Sequence, residues 1–325
     1  MQDPTEFEAE RGHLTAVAYR MLGSRAEAED AVQETWLRYA AALGRPEDRA
    51  RVRDLRGWLT TTIGRICLDV LRSARVRRET YPGQWLPEPV VTRLPDHQPD
   101  RGGGFAPDPA DRAVTTDQVG LAMLVLLERL TPEQRVALVL HDVFAMPFAD
   151  VASVLRTTEA AARQHASRAR RAVSGADVPR HTAHPEEQHR AVAAFLAAAH
   201  SGDLDRLVAV LAPGATFLGD GGGYVSANRR PVTGALRVAR FTVGLWHHRG
   251  AAEMTSLRGR AVLVNGALGV QVEGVLADGR PARAVLSFAV GEDGRIGAVF
   301  MQLNPVKLSR VPTLPEGDGD WPPRL

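Results

Sequence analysis

LRGWLTTTIGRICLDVLRSARVRRE (Leu55 to Glu79) and FADVASVLRTTEAAARQHASRARRAV (Phe148 to Val173) are the two stretches whose reading decides the fold. In the first, Ile63, Ile66, Val70 and Ala74 recur at helical spacing, which predicts a helix from about Trp58 with one buried stripe. In the second, a short apolar helix from Pro147 to Leu155, a turn at Arg156-Thr157 and a basic helix capped by Thr158 form a helix-turn-helix pattern. Residues 49–78 hold nine Arg against Asp54 and Asp69, and residues 156–171 hold five Arg against Glu159. The net charge of the whole chain is only +2, so the information lies in this clustering. Two separate cationic helices suit a protein that grips one polyphosphate at two places. Lys307 is the only lysine among 40 basic residues, a bias that GC-rich codon usage accounts for.

Working outward, residues 1–80 read as one helical domain. Leu14, Val17, Ala18 and Met21 keep a helical spacing until Gly23-Ser24. Ser24 with Glu27 predicts a capping box for the next helix, which ends at Gly44-Arg45-Pro46. That helix buries Ala28, Ala31, Val32, Thr35, Trp36 and Tyr39, and exposes Glu27, Asp30, Gln33, Glu34 and Arg38. Residues 81–115 carry prolines and a Gly-Gly-Gly without apolar periodicity, the mark of a linker. Within it, Trp85 and Leu86 are poor choices for a free tether, so the segment is expected to dock. Residues 116–176 are helical again, with Thr131-Pro132-Glu133-Gln134 as a cap.

Residues 186–308 change class. Helices at about 186–200, 203–211 and 233–248 precede β-rich runs, with Asp278-Gly279 and Asp293-Gly294 as hairpin turns. This order predicts an α+β domain whose sheet wraps helices around a pocket. Residues 309–325 read as a disordered tail. Lone Cys67 is expected in a core. No long apolar run or leader-like segment is present, so the chain is expected to be cytoplasmic, with no membrane partner.

The first basic helix can act as a nucleic-acid reader. Arg65, Asp69 and Arg72 share a face, Arg65 and Asp69 can pair, and Arg75, Arg77 and Arg78 continue the charge. Trp58, Thr60, Thr61 and Thr62 just before it suit unstacked bases. A solvated basic face is the plainer alternative.

AEDAVQETWLR (Ala28 to Arg38), the Leu55–Glu79 stretch and LERLTPEQRVALVLHDVFAMPFADVASVLRTTEAAARQHASRARRAV together resemble the sigma-70 family of transcription initiation factors, most of all its small extracytoplasmic-function group. The resemblance implies two all-α domains, σ2 and a helix-turn-helix σ4. It implies core RNA polymerase and promoter DNA as partners. Asp30, Gln33, Glu34 and Arg38 would bind polymerase. Trp58, Arg65, Asp69, Arg72 and Arg75 would lie at the −10 element, and Arg163, Gln164, Ser167, Arg168 and Arg171 at the −35 element, as Arg and Gln suit base edges. Arg156 stands where the family often has Gly.

Three further motifs resemble a SigJ-type subgroup with a fused SnoaL-like domain of NTF2-like cone fold, which acts on the sigma factor in cis. They are WLPEP (Trp85, Leu86, Pro87 onward), Asp220-Gly221-Gly222-Gly223, and Asn304-Pro305-Val306-Lys307-Leu308. Tyr224 and Val306 depart from the subgroup, which commonly has Lys and Asp there. The Asp220 motif alone fits a turn, a docking surface or an anion-binding loop. His247 and His248 are adjacent on a helix and poorly placed as joint metal ligands. No zinc or phosphate-loop spacing occurs, so no metal, cofactor or catalytic residue is expected. A rival reading is a DNA-binding regulator fused to a small-molecule-binding or catalytic NTF2-like domain, with an unknown ligand. A roomy apolar pocket with an inward Asp or His would favour it, and one filled by Phe217, Phe241, Phe288 and Phe300 would not. A plain helix-turn-helix regulator working without polymerase is a third.

Overall fold

The computed structural model describes residues 5–79, 81–94, 120–174, 184–247, 254, 256–315 and 323, with backbone alone for 74–79. Two compact units are present, and the division between them falls within a helix, Leu121–Leu127. The first unit begins with α1 (Thr5–Leu22), α2 (Arg25–Leu43), a short α3 (Pro46–Arg51) and α4 (Leu55–Glu79). The Leu121–Leu127 helix is α5. Then come α6 (Pro132–Leu138), a π-helical turn (Val139–Val143), α7 (Phe148–Leu155) and α8 (Glu159–Ser174). Leu14, Val17, Ala18, Met21, Ala28, Val32, Leu59 and Ile63 are buried, so the period-3.6 stripes do face the core. Ser24 accepts from Glu27 N at 3.4 Å, and Thr131 with Gln134 closes a capping box.

Helix α4 begins three residues earlier than the sequence reading placed it, so Trp58 and the three threonines lie inside it. Thr60 and Thr62 spend their hydroxyls on the carbonyls of Arg56 and Trp58, four residues back. Thr60 is also buried. A base-holding role for the threonine run is therefore set aside for Thr60. Gly64 marks a close approach: a Cβ there would lie 3.2 Å from Val154 Cγ1 and 3.3 Å from Leu140 Cδ1. This absent side chain lets α4 pack against the helix-turn-helix.

The second unit contains α9 (Pro185–Ser201), α10 (Leu204–Val210), β2 (Leu211–Asp220), β3 (Val232–Thr233) and α11 (Ala235–His247). It ends in a meander of β4 (Arg258–Val264), β5 (Ala267–Val275), β6 (Pro281–Val290) and β7 (Ile296–Gln302). With β1 (Val91–Thr92), the sheet order is β1-β4-β5-β6-β7-β2-β3, and only β2 and β7 run parallel. One face packs on the helices through Phe195, Leu207, Phe217, Val238, Val270, Leu286, Phe288 and Val299. Alternation sends Asp220, Gln302, Gln271, Glu273 and Val285 to the other face. That face is covered too: Val91, Leu308 and Val311 close over Val262, Val264 and Val285. This is the α+β architecture expected of an NTF2-like cone.

Three sequence expectations change here. Strand β2, with Pro213-Gly214 in an irregular stretch of its register, had no strand-like pattern. A third hairpin, at Asn265-Gly266, has both residues at positive φ, as a type I′ turn requires. The expected disordered tail starts too early. Leu314 N donates to Glu273, Arg283 donates to the carbonyls of Leu308, Val311 and Pro312, and Val311 and Leu314 are buried. The rest of that segment, apart from Pro323, lies outside the described residues.

Arg156 ends α7 in the left-handed region at φ 54° and ψ 48°, where a Cβ is penalised. Arg156→Gly is expected to stabilise the first unit by roughly 0.5–1 kcal/mol, since glycine's own entropy cost offsets part of the relief. The urea midpoint of the full chain, followed by helical circular dichroism, measures it.

Candidate nucleic-acid interface and a buried carboxylate node

The exposed face of α2 presents Asp30, Gln33 and Arg38, with Glu34 half-buried and paired to Arg38 at 2.9 Å. Leu37, 56% exposed in the middle of this face, is a residue the sequence reading missed.

On α4, Arg65 Nη2 donates to Ser153 at 3.1 Å (carbonyl) and 2.9 Å (Oγ). Arg72 donates to Glu133 Oε1 through Nε and Nη2 at 3.1 and 3.0 Å. Asp69 pairs weakly with Arg72 at 3.9 Å rather than with Arg65. Burial pushes the Glu133 carboxyl up, but its own backbone and the Arg72 guanidinium outweigh that and hold it below the usual range. Trp58 is half-buried, 6.5 Å from Tyr39, and the side chains of Arg75, Arg77 and Arg78 lie outside the described residues. Thus the predicted −10 face is packed against the helix-turn-helix of the same unit. Phe144 adds to that packing, with His13 at 5.4 Å and Arg20 at 5.0 Å.

Helix α8 exposes Arg163, Gln164, Arg168 and Arg171, with Ser167 half-buried. Its buried stripe is Ala162, Ala166, Ala169 and Val173. Arg170 pairs with Asp142 through Nε and Nη2 at 2.7 and 2.6 Å, with about half of its side chain still exposed.

In the second unit, the three short motifs converge on Asp220, whose side chain is fully buried. Its Oδ1 accepts from Tyr81 Oη at 2.7 Å and Gly222 N at 2.9 Å. Its Oδ2 accepts from Leu86 N at 2.9 Å, Lys307 Nζ at 2.7 Å and, at 3.5 Å, Gln302. Lys307 also donates to the Leu86 carbonyl and lies 4.1 Å from the Trp85 ring centre and 5.1 Å from that of Tyr81. Asn304 donates to Tyr81 Oη at 3.0 Å and accepts from Val306 N at 3.0 Å. Gly222, at φ +61°, faces Asn304, where a Cβ would lie 2.2 Å from its Nδ2. The linker is further held by Gln302 to the Pro87 carbonyl and by Asn265, which exchanges hydrogen bonds with Val90. Trp85, Leu86, Pro87, Asp220, Gly222, Asn304 and Lys307 are therefore in one place. Pro305 and Gly221 lie beside it in sequence, and Gly223 approaches Pro82. Sequence reading missed Tyr81, Gln302 and Asn265. Only the neighbourhood of Tyr81 to WLPEP hinted at any of them.

Phe217 and Phe241 pack edge to face at 4.9 Å, and Phe195 and Phe288 at 5.4 Å, so aromatic rings fill the helix-covered face. Phe300 is buried on strand β7, at a position that alternates to the opposite face. An open cleft of about 730 Å³ between α10, β3 and α11 is lined by Val208, Leu211, Pro213, Leu236, Arg237 and Arg295 among others, with no Asp, Glu or His. His247 bonds the Ala199 carbonyl at 3.0 Å, and His248 lies outside the described residues. Among the described residues, no cluster of His, Cys, Asp and Glu could hold a metal, and no helix is long and apolar enough to cross a membrane.

Residues 7–77 match the model of sigma-70 region 2 and residues 120–173 that of sigma-70 region 4. The chain belongs to the extracytoplasmic-function sigma factors of the sigma-70 family, and its function is that of an alternative sigma factor, which binds core RNA polymerase and promoter DNA. It is 45% identical over 311 residues to the ECF RNA polymerase sigma factor SigJ of Mycobacterium tuberculosis, covering 95% of this chain and 94% of that one. It is 36% identical over 244 residues to the probable ECF RNA polymerase sigma factor SigI of the same organism, covering 74% and 76%. The crystal structure of Mycobacterium tuberculosis SigJ superposes with a TM-score of 0.73 at 41% identity, over 94% of this chain and 98% of that chain.

Asp220→Asn removes the counter-charge of Lys307, which is 12% exposed, and breaking such a pair costs about 3 kcal/mol. Hydrogen exchange in residues 84–91 is expected to rise sharply while β5 and β6 stay protected. Burial, then the bond to Asp220, raises the Tyr81 phenol above its ordinary pKa of 10.0. The neutral phenol is the docked form. Its contribution is complete below pH 10 or so and declines as pH rises beyond it. Tyr81→Phe is expected to abolish that alkaline loss of protection.

Proposed function

We propose that this sigma factor engages core polymerase through α2 (Asp30, Gln33, Glu34, Leu37 and Arg38), reads the −10 element with α4 and the −35 element with α8, and rests in a closed form. The observation that carries the closed form is the double use of Arg65 and Arg72. Both belong to the −10 face, and both are held by Ser153 and Glu133 of the σ4 region. Elements near −10 and −35 lie about 25 base pairs apart, roughly 85 Å of duplex at 3.4 Å per pair. Helices in side-chain contact cannot reach both. Opening frees the guanidiniums and separates the readers in one motion.

The C-terminal domain acts in cis, as a regulator and not as a catalyst. Its aromatic packing supports this reading. A small-molecule ligand of this domain is not needed for the mechanism. The lever is the docked segment: only Thr80 separates the last residue of α4 from Tyr81 in the Asp220 node. We take the σ2 region as 1–80, the linker as 81–115, the σ4 region as 116–176 and the C-terminal domain as 186–308, followed by a segment that packs on it to Pro315.

Run-off transcription with purified core polymerase tests the assignment: a promoter-dependent transcript is expected, and it is lost when Asp30 and Glu34 are both replaced by Arg. Core binding by the full chain with no such transcript overturns it. Gly64→Leu tests the closed form. It drives a side chain between α4 and α7 while raising helix propensity by about 1 kcal/mol. Small-angle scattering is expected to show a larger particle, and transcription to rise severalfold. An unchanged radius and unchanged transcription remove the closed form.

A further inference from the structure

The exposed polar side chains of the recognition helix are not equivalent, because Arg163 is held against an aromatic ring. Arg163 forms an i,i+4 ion pair with Glu159, both side chains about half exposed. Such a pair alone fixes little. The Arg163 guanidinium also lies over the Phe148 ring, 4.7 Å from its centre. The same ring stacks on His141 at 3.7 Å with 26° between planes. The phenyl ring is therefore in contact with both the imidazole and the guanidinium. His141 is itself fixed, its Nδ1 2.8 Å from the Met146 carbonyl, an acceptor that requires the proton on Nδ1.

The backbone that creates this stack is unusual. His141 sits in the π-helical turn Val139–Val143, and Ala145 follows with φ 53°. A π turn carries one residue more than an α turn, which re-aims every side chain after it. The same turn supplies Asp142, which pairs with Arg170. So one irregular turn touches two arginines of α8: Asp142 pairs with Arg170, and His141 backs the ring against which Arg163 lies. Arg171 has only a 3.5 Å bond to the Ser167 carbonyl.

We infer that Phe148 is a positioning residue for base readout, and that Phe148 and Glu159 fix Arg163 as the group that selects one guanine of the −35 element. Recognition of guanine O6 and N7 is bidentate and needs a guanidinium plane held in place, whereas phosphate contact tolerates a mobile charge. Arg168 and Arg171 serve the second role. The inference rests on α8 being the −35 reader.

The test uses the reconstituted holoenzyme on promoters carrying every single base-pair substitution in the −35 element. Arg163→Ala is expected to flatten the preference at one position by roughly tenfold, within the range for a bidentate contact. Phe148→Leu, which keeps apolar volume but loses the ring, is expected to flatten the same position, and Phe148→Trp to retain it. The salt dependence of binding stays at the wild-type slope for Phe148→Leu, because no phosphate contact is lost. Should Phe148→Leu melt early, Glu159→Gln decides, with flattening at that position expected. A wild-type profile for Phe148→Leu or, in that case, for Glu159→Gln overturns the inference. So does an Arg163→Ala profile that changes at no single position. Either result leaves wild-type transcription intact, whereas failure of the sigma assignment removes the transcript itself.

Discussion

A carboxylate shut away from water on a β-sheet is costly unless every lone pair meets a donor and a positive charge lies within reach. Asp220 meets that demand with groups drawn from three distant parts of the chain: Tyr81 and the Leu86 amide, Gly222 next to it, and Lys307 near the other end. Removing the linker strips two donors from the carboxylate. It also takes from Lys307 the Leu86 carbonyl and the rings of Trp85 and Tyr81. Docking is therefore cooperative, and the second face of the sheet is closed by a segment that is not part of the sheet's own hairpins. A plain meander would leave that face wet and polar. Here it carries Gln302, Gln271 and Glu273 because linker and C-terminal strap return to satisfy them.

In the first unit the governing constraint is competition for the same guanidiniums. Arg65 and Arg72 are half-exposed donors, and the contacts they make with Ser153 and Glu133 are of the modest kind found at surfaces. The apolar approach at Gly64 supplies the rest. Weak polar contacts over a small apolar seam suit a form that must be displaced. Under the proposed function, polyphosphate would compete for the arginines and polymerase would compete by separating the domains. A tighter closed form would tax every productive binding event by its own population.

What the sequence made legible follows the range of the interaction. Helices α1, α2 and α8 announce themselves through i, i+3, i+4 stripes, and Asp278-Gly279 and Asp293-Gly294 through local turn chemistry. Roles for the α2 face and the recognition-helix arginines came from the resemblance to the sigma-70 family, and the exposure of these residues on regular helices is compatible with the roles proposed. Strand β2 was hidden because Pro213-Gly214 interrupts its alternation, and it pairs with β7, some eighty residues on. The strap after Ser309 looked disordered from composition, yet its carbonyls meet Arg283 and its amide meets Glu273. The π turn, and with it the orientation of Arg163, has no compositional signal at all. WLPEP was recognisable as something that docks, but the partners of Tyr81 lie 139 and 223 residues away.

The two departures from the subgroup's motifs acquire a physical meaning from this geometry. Tyr224 and Val306 are 67% and 60% exposed, while Asp220 and Lys307, four positions from Tyr224 and one from Val306, are 0% and 12% exposed in their side chains. A charge lost at an exposed site changes little, because solvent already screens it. A charge lost inside the node would leave its partner unpaired at low dielectric. The variation therefore sits on the rim, and the charge balance that fixes the linker is untouched. It follows that the energy of docking resides in the Asp220–Lys307 pair and its aromatic cover, so that neither exposed residue is needed to hold the segment that follows α4.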